Sequence, residues 1–203
     1  SLQMENRSVA TAVSRMVHVE AQADHLESLT RGKPVNALAE LIWNALDADA
    51  DLVNVSVIDN ELGSPSEIHV VDNGQGISLD HASRAFGNLG GSLKRERKLA
   101  DANSKKVHGR NGKGRFKAFA LGHEVAWDTT YFDENQNLQH YVIKGVANRL
   151  QDFEIGSVET ATGRRQGTSV LIKNVNKSVG ALSQDGATNK QLAEVFALFL
   201  RNY

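Results

Sequence analysis

An α+β sandwich built on a mixed, mostly antiparallel sheet is the fold class this sequence predicts, and three observations carry the prediction. Helical periodicity gathers in the first fifty residues, while alternating strand-like runs gather after residue 120. The strand-helix-strand alternation that builds a doubly wound parallel sheet is absent. At 203 residues with 40% hydrophobic side chains, the chain suffices for one sizeable core and is short for two, so 1–203 reads as a single domain.

Each element follows from periodicity and punctuation. Residues 10–29 carry a helical pattern, broken where Gly32 precedes Pro34, a residue suited to the first turn of the next helix. That helix runs to about Asp49. The run LVNVSVID alternates from Leu52 and SEIHVVD ends at Asp72; with Gly63 and Pro65 turning between them, the two predict a hairpin. A short helix follows near Leu79–Phe86, then a long glycine-rich segment, then GRFKAFALG as a helix closed by Gly122. EVAWDTTYF, LQHYVIKGV, DFEIGSVET and GTSVLIKN read as strands, and Thr188–Leu200 as a closing amphipathic helix. No internal repeat is visible.

Composition narrows the setting. The chain has no cysteine, which excludes disulfides and cysteine-ligated zinc and suits a reducing compartment, with cytoplasm the expectation. Apolar runs such as LAEVFALFL are too short to span a bilayer, so no membrane partner is expected. The net charge of -1 hides a strong asymmetry. Residues 87–115 hold nine Lys or Arg against Glu96 and Asp101, an excess of seven, which leaves -8 on the remainder. Six glycines in the same stretch predict a long loop, either a solvated basic one or one that meets anions.

Three stretches hold chemistry. On the helix that starts at Pro34, Val35, Leu38, Leu41, Ile42, Ala45 and Leu46 form one side; Glu40, Asn44 and Asp47 fall within about 60° of one another opposite them. The bland reading is a solvated face. Against it stand the lack of any Lys or Arg on that face and the crowding of Asp47, Asp49 and Asp51 at a helix end whose dipole disfavours anions. An Asn oxygen can bind a hard cation such as magnesium, and a Glu can orient or deprotonate a water that attacks phosphorus. VVDNGQGIS, with Asp72, Gly74 and Gly76, is on its own equally a turn. It lacks the third glycine of a dinucleotide fingerprint, but an Asp at a strand end can accept a hydrogen bond from an exocyclic amine. HGRNGKGRF, with Gly109, Gly112 and Gly114, is either a hinge or a phosphate cradle at a helix start, and is not a Walker loop because Gly114 stands where Ser or Thr is required.

Taken in order, Glu40-x-x-x-Asn44-x-x-Asp47-Ala48, Asp72-x-Gly74-x-Gly76, Gly109-x-x-Gly112-x-Gly114 and Gly167-Thr168 resemble the N box and three glycine boxes of the GHKL ATPases. That superfamily joins gyrase, the heat-shock chaperone, histidine kinases and mismatch-repair MutL. The likeness runs from about Val35 to Asn174, and FGNLGGSLK resembles the chaperone's lid entry. It implies a Bergerat-type two-layer α/β sandwich that binds and hydrolyses ATP with Mg2+, turnover driving closure of a lid over about 87–115. By the same resemblance Glu40 is the general base, Asn44 the magnesium ligand and Asp47 a polar support. Asp72 binds the adenine amine beside Gly74, Gly76 packs by the base, and Thr168 supports that contact. Asn88 and Lys94 lie near phosphate, and Gly109, Gly112, Lys113 and Gly114 cradle it. Lys113 and Arg115 depart from the chaperone, where those positions are often apolar. Glu40 with Asp47-Ala48 leans toward chaperone-, MutL- or microrchidia-like members. It implies the N-terminal part of a longer protein, a following domain that completes the site, and an ATP-dependent homodimer. A histidine-kinase-type catalytic domain and a nucleotide- or nucleic-acid-binding module without turnover are the alternatives; in the last, the basic loop meets a phosphate backbone.

Overall fold

The computed structural model describes residues 14–19, 22–87 and 113–181. Asn88, Lys94, Gly109 and Gly112, most of the basic segment, and the closing helix expected over Thr188–Leu200 lie outside the described residues. Strand β1 (Arg15–His18) and helix α1 (Ala23–Leu29) occupy the stretch whose pattern predicts one helix. The difference is tertiary: Arg15–His18 pair antiparallel with Ile155–Asp152, and Val19 N–H bonds Gln151 O at 2.6 Å, so a sheet edge overrides a local helical pattern.

Helix α2 (Pro34–Asp47) starts on Pro34 as expected and ends two residues earlier than its pattern. Asp49, at φ 59°, turns the chain out of the helix, and Ala50 N–H returns to Ala45 O at 3.0 Å. The hairpin β2 (Val53–Asp59) and β3 (Pro65–Asp72) and helix α3 (Leu79–Gly87) lie where the sequence puts them. The expected helix GRFKAFALG is instead one α-turn, α4 (Lys113–Phe116), then a 3-10 turn (Lys117–Ala120), and Gly122 opens β4 (Gly122–Phe132). Then come β5 (Leu138–Val146), β6 (Asp152–Ile155), β7 (Glu159–Thr160) and β8 (Gly167–Val175). DFEIGSVET thus divides into two strands, its break at Gly156 tied by N–H to Val142 O at 2.8 Å.

The eight strands run β1-β6-β5-β4-β8-β3-β2, with β7 on β5. Every pairing among the described residues is antiparallel. One sheet face is apolar: Ile68 and Val70 of β3, Trp127 of β4, Ile143 of β5 and Ile172 of β8 are buried. Leu38 and Leu41 of α2 close over it, joined by an aromatic knot in which Phe86 lies 5.2 Å from Trp127 and 4.9 Å from Phe153. Helices on one face of an antiparallel sheet make this an α+β sandwich.

Candidate functional site

Residues on that inward face alternate along each strand, and at one end of the sheet the apolar row gives way to polar groups. Asp72 of β3 is opposite Thr168 of β8, Thr168 is opposite Thr129 of β4, and Thr129 is opposite Tyr141 of β5. Four neighbouring strands therefore set one polar row across the sheet. Thr129 is wholly buried, and its Oγ1 accepts the Ile77 N–H at 2.8 Å and lies 2.9 Å from Thr168 Oγ1. Tyr141 donates its hydroxyl to Ile77 O at 2.7 Å, and burial holds that phenol protonated well above its ordinary range. Asp72 Oδ1 accepts two backbone N–H groups, from Gly74 at 2.8 Å and from Thr168 at 3.3 Å. No partner for its other oxygen is seen among the described residues. Desolvation pushes the Asp72 carboxyl above its usual range, and the two amide bonds oppose that only in part.

The row anchors the loop that leaves β3. Gln75 N–H reaches Ala48 O at 2.7 Å, and the Gln75 side chain donates to Asp49 Oδ2 at 2.7 Å. Asn73 Oδ1 accepts the N–H groups of Asp51 and Leu52. Acidic residues crowd the end of α2 because they tie this loop down. Gly76 has φ 76°, and a Cβ there would lie 2.3 Å from Thr130 O, so the loop approaches β4 more closely than any side chain permits. Between the loop, α2 and the row opens a cavity of about 660 Å³, lined among others by Asn44, Asp47, Asp72, Gly76, Arg115 and Thr168.

The α2 wall meets α4. Glu40 does not line that cavity; its Oε1 accepts from Lys117 Nζ at 3.0 Å, and it keeps 15% side-chain exposure. A Cβ on Gly114 would fall 2.7 Å from Glu40 Oε2 and 3.8 Å from Asn44 Oδ1, so a side chain there would push the Glu40 carboxylate aside. Asn44 Nδ2 is buried with no hydrogen-bond partner among the described residues. Arg115 sits over the Phe86 ring at 5.6 Å with Nη2 3.4 Å from His81 Nε2. Burial lowers its proton affinity, while the negative charge of Asp47 restores part of it. The polar face of α2 carries no cation of its own, but the fold brings Lys117 and Arg115 to it.

A model of the family described as histidine kinase-, DNA gyrase B-, and HSP90-like ATPase matches residues 33–168, well over half of the chain. The chain belongs to that family. A search of curated proteins returned no match. Membership in this ATPase family implies ATP binding, and the matched span holds α2, the β3 loop and the polar row. Of the residues expected at an ATPase site, Asn44, Asp47, Asp72, Gly76 and Thr168 come together on one cavity. Gly74 stands beside it through its bond to Asp72, and Gly114 lies against Glu40. Lys113 opens α4, but its side chain, like Asn88, Lys94, Gly109 and Gly112, lies outside what is described. Thr129, Tyr141, Arg115 and Lys117 were not singled out as site residues in the sequence. The first two are visible only once strand register is known; the last two follow the glycine box by one and three residues, the nearest signal there was.

Proposed function

We propose that this domain binds Mg-ATP and hydrolyses it, with turnover closing the 87–115 segment and driving a conformational change in a larger protein. The observation that carries the reading is Asp72: a carboxylate held in a desolvated setting, fixed through one oxygen by two amides, with no described partner on the other. An adenine exocyclic amine is the donor such an oxygen fits, and Thr168, coupled to Thr129, holds the acceptor in place. Gly74 and Gly76 keep the loop low enough for a flat base, and Asp47 supports the wall facing it.

The residues present also fit a hard divalent cation. Magnesium beside a nucleotide is held mainly by phosphate and water, with one or two protein oxygens. Asn44 supplies one such oxygen, and its buried amide nitrogen, with no partner among the described residues, supports a role toward a ligand. The bound ion offsets phosphate charge. Glu40 orients and deprotonates the attacking water, while Gly114, with Gly109, Gly112 and Lys113, closes on the phosphates. The excess of basic residues read between 87 and 115, Lys94 among them, and Asn88 complete the anion's surroundings. Glu40 with Asp47-Ala48 supports a chaperone-, MutL- or microrchidia-like member acting as an ATP-dependent homodimer with a following domain, in the cytoplasm. Among the described residues no helix is long and apolar enough to cross a membrane.

Calorimetric titration with ATP and a non-hydrolysable analogue, with and without magnesium, tests the reading together with single-turnover phosphate release. Magnesium-dependent binding and cleavage are expected. Binding without cleavage would favour the kinase or pure-binding alternative, and salt-sensitive duplex DNA binding in place of nucleotide binding would favour a nucleic-acid module.

A further inference from the structure

We infer that Lys117 is a positioning residue for hydrolysis, one that turns Glu40 toward the reacting water from within this domain; the inference rests on Glu40 being the general base. Glu40 is a flexible side chain on a helix face, and a base left to wander is a poor one, since about 1 Å of misplacement can cost on the order of 10²-fold in rate. Lys117 removes that freedom. Its Nζ takes Oε1 at 3.0 Å and is Glu40's only described side-chain partner. The pair is unequal in exposure, 41% for the lysine and 15% for the glutamate, so the carboxylate is the sheltered member and the ammonium caps it from outside.

The other oxygen is turned to a definite place. Oε2 and Asn44 Oδ1 both lie beside Gly114, 2.7 Å and 3.8 Å from where a Cβ on that glycine would stand. With Oε1 occupied, the oxygen left to take a proton is the one beside the proposed magnesium ligand and the glycine box. Lys117 lies three residues beyond Gly114, in the 3-10 turn continuous with α4. The cation that completes the site is thus supplied, at least for orienting the base, by the same segment that approaches the phosphates.

The test is a double-mutant cycle on the full 203-residue chain: parent, Lys117→Met, Glu40→Gln and the double variant, with Lys117→Arg as the conservative replacement. Single-turnover cleavage of ATP and the dissociation constant of a non-hydrolysable analogue are measured on each. Lys117→Met is expected to cleave about 10- to 100-fold more slowly with analogue affinity within about twofold of the parent. Lys117→Arg is expected to recover most of the rate, and the lysine change is expected to cost little further in the Glu40→Gln background, because it acts through that carboxylate. A structural role alone would lower affinity and melting temperature together and leave the two changes additive, which overturns the inference. So does cleavage by Lys117→Met at or above the parent rate while Glu40→Gln is slow. If Glu40→Gln itself cleaves at the parent rate, or the parent does not cleave, the base assignment fails and takes the inference with it.

Discussion

Asp72 and Asp133 each accept two backbone N–H groups through one oxygen, yet their carboxyls shift in opposite directions. Asp72, at the end of β3, accepts the Gly74 and Thr168 N–H groups; Asp133, in the turn between β4 and β5, accepts the Asn135 and Asn137 N–H groups and the Gln139 side chain. The Asp133 carboxyl is held below its ordinary range, first by the Asn137 amide and then by the Gln139 and Asn135 bonds, which together outweigh its desolvation. Asp72 is pushed above that range because desolvation outweighs its bonds. Asp133 spends both oxygens on its own turn; Asp72 shows a described partner for only one. One aspartate serves the chain's stability, and the other is held in a desolvated setting at some cost to it.

Stability follows those shifts in opposite senses. The folded Asp72 titrates above the unfolded value of 3.8, so in that window the folded protein holds a proton the unfolded chain has lost, and its contribution falls as pH rises through it. The folded Asp133 titrates below 3.8; its contribution is present above that value and is lost as pH falls through the folded one.

The contrast between site and turn sharpens most at Glu40. Glu40→Gln is expected to lower ATP cleavage by roughly 10²- to 10⁴-fold, the usual worth of a positioned base, while nucleotide affinity survives. Single-turnover phosphate release beside calorimetry separates the two quantities. Thr129→Val comes next: it keeps shape but strips the buried Ile77 N–H of its acceptor, which should cost about 1 to 3 kcal/mol in urea unfolding and weaken nucleotide binding as the loop loosens. The smallest effect belongs to Asp133→Asn. Its melting temperature should drop slightly at neutral pH, the difference should vanish in acid, and nucleotide affinity should not move.

Much of this was legible beforehand. Alternation placed β2, β3, β5 and β8 within a residue or so at most ends, Pro34 marked the start of α2, and the polar stripe Glu40, Asn44 and Asp47 was readable at 100° per residue. Arg15–His18 escaped because a four-residue edge strand has no periodicity to show and exists only through β6. The full Asp72-Thr168-Thr129-Tyr141 row escaped for a related reason: its ends lie 96 positions apart in sequence and its members meet through three strand registers. Lys117 escaped because a helical reading of GRFKAFALG aims its side chain differently from the 3-10 turn that forms.

Titration of the parent and of Asp72→Asn with the same non-hydrolysable ATP analogue tests the central claim most directly. An amide turns a donor toward the adenine amine, so affinity should fall by at least several-fold, about 1 to 3 kcal/mol. The melting temperature of the nucleotide-free variant should not drop, because the desolvated charge is gone. Equal affinity in the two proteins would contradict the assignment of Asp72 to the nucleobase and, with it, the account of this cavity as an adenine site.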